Sequence, residues 1–177
     1  MTSKRTWRAI GAATALWLGL AASSAQAATA SICIGEDQAV AVMAVAMPDI
    51  LTAIGKTCES RLPPSATLRA GLPALMSRYG AEASAAWTPA RDALVKIGGD
   101  SLKGVDADLL HPLIGTLIAP MMTKDVKPSD CPQIDHVAEL LAPLPAHNSA
   151  ALVVAIYQLV SADKKQALPF TICPAHS

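Results

Sequence analysis

The sequence predicts an all-α protein, an irregular or orthogonal bundle of about six helices stapled by two disulfides. Three observations carry that reading. Alanine, the strongest helix former, is used throughout, and the thirteen prolines mostly fall where helical patterns stop. Four cysteines follow an N-terminal segment built for export. Strand signals are thin. A chain of 177 residues allows one ordinary domain, and 52% hydrophobic with 16% charged residues excludes a mostly disordered one. Fourteen basic against fourteen acidic residues argue against nucleic acid as a partner, because phosphate neutralisation needs clustered Lys and Arg.

Residues 1–27 read as a secretory signal peptide. Lys4, Arg5 and Arg8 form the basic start, Ala9 to Ala22 the apolar run, and Ala25-Gln26-Ala27 the small-residue cleavage site. The apolar run is shorter than the roughly 20 residues a membrane span needs. Lys4 stands where a twin-arginine signal has its first Arg, and Ile32 rather than a small-residue box precedes Cys33, unlike a lipoprotein. The expected location is the bacterial periplasm or the medium, with no membrane span after cleavage and with residues 28–177 as a single helical domain. Cleavage leaves 11 basic and 14 acidic residues, and Tyr79, Trp87, Tyr157 and Phe170 as the only aromatics. The core must then be built from Ala, Leu, Val, Ile and Met.

The first helix is expected over 36–56. Glu36 and Asp37 suit its positive end, and Ala39 through Met47 is unbroken apolar sequence. Gln38, Asp49, Thr52 and Lys56 share one narrow wet seam, so this is the central helix, kinked at Pro48. Pro63-Pro64 opens the next unit, in which Leu68, Leu72, Leu75, Met76 and Tyr79 make a helical stripe. Thr88-Pro89 reads as an N-cap and first helical residue, Gly98-Gly99 as that helix's stop. A further helix over 107–119 is interrupted by Pro112. Asp130-Cys131-Pro132-Gln133 has capping-box spacing ahead of Ile134, Val137, Leu140 and Leu141 on one face. Asn148 or Ser149 caps a last helix over 150–162, apolar nearly all round and so expected to be mostly buried.

Cys33, Cys58, Cys131 and Cys173 are spaced by 25, 73 and 42 residues. A redox pair needs Cys-x-x-Cys and a zinc site usually has a short ligand pair, so two structural disulfides are the reading. A helix between Cys33 and Cys58 holds their ends about 30 Å apart, whereas bridged Cα atoms lie within about 7 Å. Of the other pairings, Cys33–Cys173 with Cys58–Cys131 brings the mature termini together.

Candidate chemistry is sparse. Gly99-Asp100-Ser101-Leu102 resembles the motif that names the GDSL esterases and lipases, and Asp108-Leu109-Leu110-His111 resembles that family's Asp-x-x-His. The resemblance implies a serine hydrolase with Ser101 as nucleophile, His111 as base and Asp108 orienting the ring. It covers eight residues. In the family the serine block follows a strand and the two blocks lie far apart, and an oxyanion-hole Asn is needed; Asn148 is the only Asn in this chain. A helix boundary explains the same residues: Gly98-Gly99 ends one helix and Asp106 or Asp108 caps the next.

Asp135, His136 and Glu139 form the best metal-like cluster, but a solvated helix face opposite Ile134, Val137 and Leu141 is the favoured account of them. His147 and His176 fall in expected loops. No metal or cofactor is implied, and no catalytic set is assembled. Met43, Met47, Met76, Met121 and Met122 can fill a core or line an adaptable apolar pocket. The sequence therefore points to an exported non-enzymatic protein that acts by binding a protein partner, in the manner of inhibitors, immunity proteins or assembly factors. The alternative is a carrier of an apolar or lipid-like ligand in a Met-lined cavity.

Overall fold

The longest apolar run of the chain becomes the axis of the fold. Helix α1 (Glu36–Cys58) starts where the Gln38 side chain accepts the Gly35 N–H at 3.1 Å, and Ala39 through Met47 are all buried in it. Its small residues let neighbours approach from every side. Helices α2 (Leu72–Ala85), α3 (Trp87–Gly98), α4 (Ala107–Thr123) and α6 (Ala146–Ser161) all pack against α1. Helix α5 (Cys131–Leu141) completes an irregular all-α bundle. The computed structural model describes residues 32–161 and 171–173, so the residues read as a signal peptide, as well as Phe170 and His176, lie outside the described part. By length and composition α1 alone among the described helices reaches membrane-spanning size, yet 61% of its most apolar window is buried in the fold.

Both disulfides are those expected from keeping Cys33 and Cys58 apart and bringing the mature termini together. Cys33–Cys173 has a Cα separation of 5.0 Å and Cys58–Cys131 one of 5.4 Å. The first lies beside a feature the sequence reading missed, a two-residue parallel pair of β1 (Cys33–Ile34) and β2 (Thr171–Ile172). Cys173 N–H donates to the Ile34 carbonyl at 2.8 Å, and Ile34 is fully buried.

Several boundaries differ from the expected ones, each for a local reason. Residues 63–70 form turns rather than helix, and α2 begins at Leu72, with Pro73 in its first turn where a missing N–H costs nothing. Helix α3 starts at Trp87, so Thr88 and Pro89 lie inside its first turn. Gly99 does end it, with φ +56°. Helix α4 continues through Pro112 and Pro120 to Thr123. Helix α6 starts at Ala146, so Ser149 is not its cap; Ser149 is fully buried and its hydroxyl donates to the Pro145 carbonyl at 3.4 Å.

Burial of α6 also departs from expectation. Ala150 and Val154 pack inward, but Leu152, Ile156, Leu159 and Val160 are exposed. The surface of α1 is already shared with α2, α3 and α4, which leaves α6 a single strip to cover. Close approach sets the α1–α4 contact: a Cβ on Gly115 would land on the Asp49 carboxylate.

Candidate apolar binding site

Helix α5 stands off from the backbones of the other helices, and the space beneath it is an apolar cavity of about 200 Å³. Its inner face is made by Ile134, Val137, Ala138 and Leu141, which fall within an arc of roughly 100° on a helix. Leu140, expected on that face, points away and is 60% exposed. The floor is Met47, Ile50, Leu51 and Ile54, one stripe at i, i+3, i+4 and i+7 on α1. Leu68, Leu75 and Tyr79 close one side, and Met122 from α4 with Val153 from α6 close the other. Val137, 45% exposed, stands at the mouth.

Three fastenings hold α5 in place. The Cys58–Cys131 disulfide ties its first residue to the last residue of α1. Midway, Asp135 Oδ1 accepts the Leu68 backbone N–H at 2.7 Å. Past its C-terminus, Arg78 Nη1 donates to the carbonyls of Ala142 and, at 3.5 Å, Leu144. Ile134 and Ala138 add apolar packing against the core edge.

Of Met43, Met47, Met76, Met121 and Met122, Met47 and Met122 line this cavity. Met43 lines a separate hollow of about 10 Å³, Met76 packs at the core edge and Met121 is exposed. Asp135 is drawn to Leu68, so the metal-like cluster is reduced to His136 and Glu139, 3.4 Å apart on the outer side of α5. His147 reaches Glu82 of α2 at 3.2 Å. Among the described residues no group of three or more His, Cys, Asp or Glu converges.

Ser101 lies exposed in a 3₁₀ turn (Gly99–Ser101), and the His111 ring packs on Trp87, with centroids 4.8 Å apart and planes at 53°. No hydrogen bond joins Ser101 to His111 among the described residues. The side chain of Asp108 lies outside the described part.

On its outer side α4 carries Leu109, Leu113, Leu117 and Met121, exposed by 64, 38, 57 and 40%. Its inner side buries Leu110, Ile114 and Ile118. At 100° per residue the exposed row sweeps through roughly 120° along the edge of the buried stripe, with Leu117 and Met121 on either side of Leu110, so the apolar surface of α4 extends beyond what the core covers. The chain matches no protein-family model, no curated protein and no solved structure.

Proposed function

We propose that the protein is exported to an oxidising compartment and acts there, without catalysis, by docking a protein partner on the outer face of α4. The observation that carries this reading is the row Leu109, Leu113, Leu117 and Met121, spaced at i, i+4, i+8 and i+12. Single exposed apolar residues are ordinary, but a continuous apolar row on one helix is the pattern of a surface that expects cover. Two disulfides support an oxidising location, and the basic-apolar-small layout of residues 1–27 supports export.

A photoreactive residue at position 117, introduced in the producing cells, tests the docking face. The expected result is one discrete heterologous adduct that the Leu109→Asp/Leu113→Asp double variant loses. Absence of any adduct, or an adduct only with a second copy of this chain, overturns it. Recovery in the osmotic-shock fraction, with Ala28 as the first residue, is the matching test of export.

The apolar cavity under α5 favours a second reading, a carrier of an apolar ligand.

A further inference from the structure

We propose that the cavity under α5 binds one small, neutral, apolar molecule, a single ring with a short substituent or an aliphatic chain of similar bulk, and that α5 is the wall that opens to admit it. This rests on the carrier reading and is independent of the α4 docking face.

Size sets the first limit. At about 200 Å³ the cavity falls between the roughly 150 Å³ that accepts benzene and the roughly 300 Å³ where drug-sized pockets begin. A long acyl chain does not fit inside. Chemistry sets the second. The thirteen lining side chains carry no Asp, Glu, Lys, Arg or His, and their only polar atoms are the Tyr79 hydroxyl and the thioethers of Met47 and Met122. An ammonium entering would lose its hydration with no counter-charge to replace it. A carboxylate would find none among the lining side chains, since Arg78 lies beyond the Tyr79 ring, 5.6 Å from its centroid, and donates to the Ala142 and Leu144 carbonyls. The two thioethers are polarizable and conformationally adaptable, which suits a floor that must accept more than one shape.

The route in follows from how α5 is attached. Opening it breaks the Asp135–Leu68 hydrogen bond and those from Arg78 to the Ala142 and Leu144 carbonyls. It also lifts Ile134 and Ala138 off the core edge, while the backbone of α5 stands off from those of its neighbours. The Cys58–Cys131 bond holds the N-terminal end throughout and makes that end the hinge.

The test uses the disulfide-bonded protein with ¹³C-labelled methionine methyls, titrated with n-butylbenzene, hexan-1-ol, hexanoate and palmitate. The expected result is saturable shifts of the Met47 and Met122 methyls with n-butylbenzene and hexan-1-ol. Hexanoate should bind at least tenfold more weakly than hexan-1-ol, and palmitate should leave both methyls unmoved. Ala138→Phe, or Ala138→Leu if the larger side chain prevents folding, should weaken n-butylbenzene at least tenfold. Asp135→Ala should raise the dissociation rate of n-butylbenzene severalfold. Failure of every probe to move these methyls overturns both the proposal and the carrier reading. Binding of palmitate, or hexanoate binding as tightly as hexan-1-ol, overturns the size or charge assignment and leaves the carrier reading standing. Unchanged binding to the Ala138 variant places the probe outside this cavity and overturns the site. An unchanged dissociation rate in Asp135→Ala overturns the opening of α5.

Discussion

The carboxylate of Asp135 on α5 accepts the backbone N–H of Leu68, 2.7 Å away and 67 residues earlier in the chain. Leu68 is itself almost fully buried and lines the cavity, so this one bond fixes both a loop and a wall. Asp135→Ala leaves that N–H without its acceptor. A loss of about 1–3 kcal/mol is expected in urea unfolding, the range for a charge-assisted bond and its orphaned partner. Asp135→Asn keeps an acceptor oxygen and should lose less.

Removing the bridge between α1 and α5 should also be costly. Cys58→Ser/Cys131→Ser frees a loop of 73-residue separation, and about 2–4 kcal/mol of stability should go with it. Peptide mapping under non-reducing conditions should recover Cys33 joined to Cys173 and Cys58 joined to Cys131, with no free thiol. A Cys33–Cys58 peptide would contradict the helix that separates them.

Gly115→Ala should destabilise the α1–α4 contact by about 1–3 kcal/mol, the usual range for overpacking. Its new methyl would meet the Asp49 carboxylate, and Asp49 Cβ at 3.1 Å. Asp49→Ala removes the first clash and not the second, so the double variant should recover part of the loss. A thermal double-mutant cycle measures that coupling.

Leu109→Asp/Leu117→Asp should stay within about 1 kcal/mol of the parent protein, because both side chains are more than half exposed. Its thermal midpoint should hold while self-association, read by sedimentation velocity, stays the same or falls. A large drop in midpoint would mean that this face is covered within the fold.

A serine-directed fluorophosphonate should leave Ser101 unlabelled. His111→Ala should cost about 0.5–1.5 kcal/mol in thermal unfolding through its lost packing on Trp87. An adduct at Ser101 would revive the hydrolase reading.

Much of the architecture was legible in the chain because it is encoded locally. The apolar run from Ala39 to Met47 could be stable only as a buried helix, and the helix length between Cys33 and Cys58 excluded their union. The parallel pair of β1 and β2 was not legible, since it is two residues long and joins segments 137 residues apart; the β-branched Ile34, Thr171 and Ile172 beside cysteines were its only signal. The partner of Asp135 was hidden for the same reason. On a helical wheel it belongs to a wet face with His136 and Glu139, and only the return of the 63–70 loop gives it a backbone donor.

By itself the sequence determined the helical class, the number of helices and the exclusion of a Cys33–Cys58 bridge, because propensity, proline punctuation and helix length act over a few neighbouring residues. Tertiary structure alone decided which apolar faces are inside. Helix α1 has a finite circumference; once α2, α3 and α4 share it, the outer sides of α6 and α4 are left uncovered, and α5, held by a disulfide and a few hydrogen bonds, roofs a hollow instead of filling it.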